Sequence, residues 1–230
     1  MSINKKCVLI VLFNILCQHG QAQGSFQNLN FEQATIVSDP SSPYYPSAVY
    51  ASDAIPGWTP TSFLGTNDIL YNETTLGAPS VSIYSANGAG TPPAPIDGTF
   101  SVELYGGANG PPGASISQTA IVPASAESIL FEAQNLAGSL GGVLLVSLGG
   151  QSIPFFALST GSNYTLYGGN IPAFGGETEQ LTFSALAGGN NYWAIDDIQF
   201  SNSFVPEPST LGLSALGALF LGWRVLRVRR

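Results

Sequence analysis

Apolar residues are arranged along this chain in two distinct ways. Nearly continuous runs stand close to each end, Cys7 to Cys17 (CVLIVLFNILC) and Leu211 to Trp223 (LGLSALGALFLGW). Between them, apolar residues come in short groups, and several groups alternate with polar positions. Ile129, Phe131 and Ala133 fall on one side of an extended segment, and Leu181, Phe183 and Ala185 do so on another. A period of two is the mark of a strand with one buried face. Segments of this kind, bounded by Gly, Pro, Asn and Ser, predict strands over 30–37, 69–72, 80–84, 99–105, 114–122, 128–134, 142–148, 151–158, 163–167, 179–185 and 192–201. The clearest hairpin joins 141–148 to 152–158 through Gly149-Gly150-Gln151. Residues 85–98 (SANGAGTPPAPIDG) and 106–113 (GGANGPPG) read as long loops. No long amphipathic helix is predicted between the terminal runs. Short strands at this spacing predict one all-β domain, a two-sheet antiparallel sandwich over residues 23–204.

Charge sharpens the division. The chain has 6 Lys+Arg, 14 Asp+Glu and one His. Lys5, Lys6 and His19 lie before the middle segment, and Arg224, Arg227, Arg229 and Arg230 lie after it. Gln23 to Val205, 183 residues, contains no Lys, Arg, His, Cys or Met but 13 of the 14 carboxylates, giving −13 + 0 = −13. Such a segment has no His relay, no catalytic thiol, no N/S zinc site and no phosphate clamp. Its field repels nucleic acid and anionic membrane surfaces. Oxygen chemistry remains, which suits hard cations, sugars and carboxylate acid–base work.

The first run, preceded by two lysines and followed by Gly20 and Ala22 at the −3 and −1 positions of a cut, predicts a secretory signal over residues 1–22. Leu16 is too bulky for the small residue that precedes a lipidated cysteine, which disfavours lipidation at Cys17. The second run spans roughly 20 Å as a helix, short of the ~30 Å hydrocarbon core, and its terminal arginines keep that end in the cytoplasm. Val205-Pro206-Glu207-Pro208-Ser209-Thr210, the apolar run and Arg224, Arg227, Arg229 and Arg230 together resemble the PEP-CTERM sorting signal of Gram-negative bacteria. The resemblance implies an exosortase-type membrane protease as partner, passage through the inner membrane, and delivery to the cell surface or extracellular matrix. A plain tail anchor is the alternative.

The middle segment carries Asn30-Phe31-Glu32, Pro56-Gly57-Trp58, Ile116-Ser117-Gln118-Thr119 and Asp196-Asp197-Ile198 in that order. This series resembles the galactose-binding-like jelly roll of bacterial surface proteins and carbohydrate-binding modules. The resemblance implies a structural Ca²⁺ between the first and last strands, with Glu32, Asp196 and Asp197 at the matching positions; the alternative is that both aspartates are solvated at a strand end. Tyr44, Tyr45 and Trp58 are candidate glycan contacts, with a core position the favoured reading for Trp58. Glu103 and Glu132, expected on neighbouring strands, are the candidate pair for a glycoside hydrolase, against the ordinary reading of solvated strand-face glutamates. Taken together, these features predict an exported, surface-sorted, non-enzymatic protein with a structural or adhesive role. The alternative is a module that binds extracellular polysaccharide.

Overall fold

A computed structural model describes residues 24–206, except 76, 87–93, 109–111, 138–140 and 190. The signal segment, residues 207–210 of the sorting motif, the apolar run and the terminal arginines lie outside the described residues. No helix among the described residues is long and apolar enough to cross a membrane.

The strands are β1 (Ala48–Tyr50), β2 (Thr59–Thr61), β3 (Asp68–Tyr71), β4 (Ser80–Ser85), β5 (Phe100–Tyr105), β6 (Ala114–Ile121), β7 (Ser128–Asn135), β8 (Leu144–Leu148), β9 (Gln151–Ser152), β10 (Phe156–Thr160), β11 (Thr165–Asn170), β12 (Thr178–Ala185) and β13 (Tyr192–Ser201). They form an eight-stranded sheet, ordered β1-β3-β4-β5-β13-β7-β11-β10, and a five-stranded sheet, ordered β2-β6-β12-β8-β9. The expected β-sandwich is therefore the fold. Its inner faces come from the alternating positions: Phe131 and Ile195 of the large sheet are fully buried, as are Ile116 and Phe183 of the small one. Phe183 meets Phe131 edge-on at 5.2 Å between centroids and Trp58 at 6.4 Å.

Three expectations are corrected. Residues 30–37 form turns and coil instead of a strand. Phe31 adopts φ +57° and turns a fully buried ring into the core, which extended pairing does not allow. Pro154 divides the expected strand 151–158, because it has no N–H to give a ladder. β9 therefore stays with β8 in the small sheet, and β10 joins the edge of the large one. The Gly149-Gly150 turn holds as expected, both residues at positive φ. Lastly, β3 and β4 pair in parallel, alone among the described pairs of strands. A parallel pair needs a connection that returns along the sheet. Here that connection is residues 72–79, and it covers the polar outer face of β4 and β5: the Ser82 hydroxyl donates to the Glu73 carbonyl at 2.7 Å.

Candidate functional site

Two acidic side chains from opposite ends of the domain hold the segment that leads into β5. The Glu32 Oε1 accepts from the backbone N–H of Thr99 (2.7 Å) and Phe100 (2.9 Å). Asp196 sits on β13 where the register with β7 shifts between Asp196 and Gln199, a bulge that puts Asp197 at φ +42°. The Asp196 Oδ2 accepts from the Ser101 hydroxyl at 2.6 Å and from the Asp97 N–H at 3.2 Å, and its Oδ1 accepts from the Asp197 N–H at 2.8 Å. Ser101 Oγ in turn accepts from the Ile96 N–H at 2.8 Å. Burial pushes the Asp196 carboxyl up to about 7, against the pull of these donors.

Glu32, Asp196 and Asp197, the residues expected at a calcium site, bond within the fold. Each spends an oxygen on donors of its own fold, Asp197 accepting from the Gln199 amide at 2.6 Å. Among the described residues, no three His, Cys, Asp or Glu side chains gather as metal ligands do. With no Lys, Arg or His from 23 to 205, backbone N–H, hydroxyl and amide groups donate to these carboxylates.

Of the aromatic candidates, Tyr44 and Tyr45 stand exposed, with Tyr44 edge-on to Phe63 at 5.0 Å. Trp58 is corrected: it is 4% exposed, packs on Phe31 and Phe183, and its Nε1–H donates to the Asn28 carbonyl at 3.0 Å. Its ring has no free face for a sugar. Glu103 and Glu132 are also corrected as a pair on neighbouring strands, since β13 lies between β5 and β7. Glu103 is buried under the 72–79 connection, where the Thr74 hydroxyl donates to its Oε1 at 2.6 Å and also meets Tyr84. Burial pushes Glu103 up to about 7.

Another carboxyl pair was hidden in the sequence. β1 pairs with β3 so that Tyr50 stands opposite Asp68, and this brings Asp68 to Asp39. The Asp39 Oδ1 accepts from Ser41 N–H (2.8 Å), Ser41 Oγ (2.7 Å) and the Tyr50 hydroxyl (3.0 Å). Hydrogen bonds from Ser41 hold Asp39 below the ordinary carboxylate range, while burial and the charge of Asp39 raise Asp68. Nothing in the spacing of 39 and 68 announces it.

The chain leaves the sandwich beside β11. The Ser128 hydroxyl donates to the Ser203 carbonyl at 2.7 Å. Val205 is buried; its N–H donates to Asn170 Oδ1 at 2.7 Å, and its carbonyl accepts from Asn170 Nδ2 at 3.0 Å. Residues 204–230 match the PEP-CTERM protein-sorting motif. This chain carries a PEP-CTERM sorting signal. It is an exported, membrane-anchored precursor, sorted to the cell surface through an exosortase. Residues 204–206, the first of the matched motif, are described together with the sandwich.

No curated protein matches the sequence. Among solved structures, the Stig cyclase Fisc from Fischerella sp. TAU is 16% identical, with a TM-score of 0.44 over 77% of this chain and 95% of the cyclase. The enzymatically active domain of tailspike protein 4 from bacteriophage CBA120 is 16% identical, with a TM-score of 0.34 over 63% of this chain and 19% of its own. The catalytic domain of a GH87 alpha-1,3-glucanase in complex with tetrasaccharides is 15% identical, with a TM-score of 0.33 over 66% and 29%. Likenesses this distant assign nothing to this chain.

Proposed function

We propose that the sandwich is the cargo of its sorting signal and acts outside a Gram-negative-type cell as a non-enzymatic structural or adhesive module, with neutral extracellular polysaccharide as its partner. One observation carries this reading. The first residues of the matched motif lie against the fold, with Val205 buried and fastened by Asn170, so the sandwich runs in sequence directly into its delivery signal. The charge of −13 favours neutral polymers over polyanions. The two carboxyls raised to about 7, Glu103 and Asp196, are buried and bonded within the fold, as structural groups are.

The test compares the full chain in a host with an active exosortase and in one without. The expected result is domain recovered with surface polymer only in the first, lacking the arginine-rich end. Domain lost entirely to the medium, with no affinity for polymer, counts against the adhesive role. Glycan turnover by the purified protein that disappears in Asp68→Asn, the raised member of the carboxyl pair, would replace it with a hydrolase. As a second reading, exposed Tyr44 and Tyr45 favour a carbohydrate-binding module, and Tyr44→Ala with Tyr45→Ala separates the two by abolishing any affinity that rests on those rings.

A further inference from the structure

The ladder between β7 and β11 ends early. Pairing of β7 with β13 continues to Asn135, whereas pairing of β7 with β11 stops at Ala133, opposite Thr165. Beyond that point the β10–β11 hairpin closes on itself around Ser162 and Asn163, the Gly161 N–H donating to the Tyr164 carbonyl at 2.9 Å. A pocket of about 310 Å³ opens there, with Gln134 and Asn135 on the β7 side and residues 160–165 on the hairpin side. Its volume is at the lower end of the range in which pockets take small ligands.

Two tyrosines line this pocket, and both are held. The Tyr164 ring lies on Gly161, where a Cβ would come within 2.5 Å of its Cε1 and 2.6 Å of its Cζ. Only glycine allows so close an approach. Tyr167 stacks on Phe131 at 5.6 Å between centroids and meets Phe155 edge-on at 5.4 Å. Two of the lining amides are also set. Asn163 Nδ2 donates to the Pro95 carbonyl at 3.2 Å, and Asn135 Oδ1 accepts from the Ala137 N–H at 3.0 Å. Rings and amides fixed before a ligand arrives lower the ordering cost of binding. The Gln134 side-chain amide and the Thr160 and Thr165 hydroxyls add donors and acceptors that no side-chain bond among the described residues uses.

The lining selects its complement. No charged side chain belongs to it, and its amides and hydroxyls each donate and accept, as sugar hydroxyls do. A tyrosine ring offers an apolar face to the C–H side of a pyranose. Glu132 stands near the Tyr164 hydroxyl, and the charges of Asp97 and Asp197 reach both groups, so an anion is repelled from the rim. We propose that this pocket binds one unit of a neutral polysaccharide, its ring packed on a tyrosine and its hydroxyls bonded to the side-chain amides of Gln134 and Asn135. The proposal rests on the polysaccharide-adhesion reading given above and adds the place where the polymer is held. That place is distinct from Tyr44 and Tyr45, which precede β1, since β1 and β10 are opposite edges of the large sheet.

The experiment uses ¹⁵N-labelled mature protein recovered from exosortase-active cells. It is titrated with glucose, galactose, mannose, N-acetylglucosamine and their neutral oligomers. Glucuronic acid and glucosamine serve as charged comparators. The expected result is a saturable shift of the Gln134, Asn135 and Asn163 amide signals with a neutral sugar, those of Tyr44 and Tyr45 unmoved. Tyr164→Ala should weaken binding by about tenfold. Gln134→Ala should weaken it by about fivefold and decides alone if Tyr164→Ala unfolds. The Tyr44→Ala, Tyr45→Ala double variant should bind as before. Pocket signals unmoved by every neutral sugar overturn the proposal, as does undiminished binding by a folded Gln134→Ala. Binding confined to glucuronic acid or to glucosamine overturns the neutral assignment and the proposal with it. If no sugar moves these signals while the protein still sediments with surface polymer, the pocket fails and the adhesive reading stands. If sugars bind but the polymer does not retain the protein, the adhesive reading fails and the pocket stands.

Discussion

Asn170 holds Val205 by both backbone groups that a neighbouring strand would use, accepting from its N–H at 2.7 Å and donating to its carbonyl at 3.0 Å. One side-chain amide thus extends the sheet by a single residue at the point where the sorting motif begins. The valine side chain rests on Gly168, where a Cβ would come within 2.8 Å of Val205 Cγ2, Leu130 Cδ2 and Leu158 Cδ1.

Asn170→Ala should therefore lower the stability of the mature protein by about 1–3 kcal/mol, the cost of leaving partly buried backbone groups unpaired. Urea unfolding measures it. Proteolysis should also reach residues 204–206 sooner in this variant. Stability and cleavage both unchanged would mean that the contact is incidental.

Gly168→Ala attacks the same site from below. Overpacking of this kind costs about 1–3 kcal/mol. Combined with Val205→Ala, which removes one of the three obstructed side chains, the loss should be smaller than the sum of the two single losses, a coupling read from a double-mutant cycle. Strict additivity would show that Val205 does not rest there in solution.

Stability should fall as pH rises from 5 to 8. Glu103 and Asp196 are held up to about 7 by burial, whereas in the unfolded chain carboxyls titrate near about 4. Between those values the native state keeps protons that the unfolded chain has released. The stabilisation from that difference is complete below the unfolded pKa and disappears as pH passes through the native one. Melting temperatures should thus be higher at pH 5 than at pH 8. Glu103→Gln, neutral at every pH, should flatten the slope while leaving the Thr74 bond an acceptor. A profile that rises toward pH 8 would contradict the burial of both groups.

Calcium should do little. The carboxylates of Glu32, Asp196 and Asp197 are already met by donors of the fold, so excess Ca²⁺ and excess chelator should give melting temperatures within about 1 °C of each other. A calcium-dependent rise of several degrees would instead require these groups to rearrange around an ion.

Legibility followed the range of the interaction. Alternation at Ile129, Phe131 and Ala133, or at Leu181, Phe183 and Ala185, is local and reports the buried face directly; both segments are strands of the sandwich. β1 and β2 escaped because Ala48–Tyr50 and Thr59–Thr61 are three residues long and flanked by Pro, Ser and Tyr, a composition that reads as loop. Residues 30–37 misled for another reason: they are a short β-type group between turn residues, yet Phe31 is turned inward by a positive φ that no pattern encodes. The site residues depended on contacts across great sequence distances. Asp39 meets Asp68 only because β1 pairs with β3, and Asp196 reaches Ser101, 95 residues away, only because β13 lies beside β5. The adjacency of Asp196 and Asp197 suggested a shared ligand, but a bulge gives one an interior role and the other an outward one.

The absence of basic residues from 23 to 205 has a consequence for survival outside the cell. Proteases with an acidic specificity pocket, of the trypsin type, cut after lysine or arginine. Between Lys6 and Arg224 this chain offers them no peptide bond, whether it is folded, partly open or fully unfolded. Protection of that kind is written in the covalent sequence and does not depend on fold stability, so it lasts through every fluctuation that exposes the backbone to a secreted enzyme of this class.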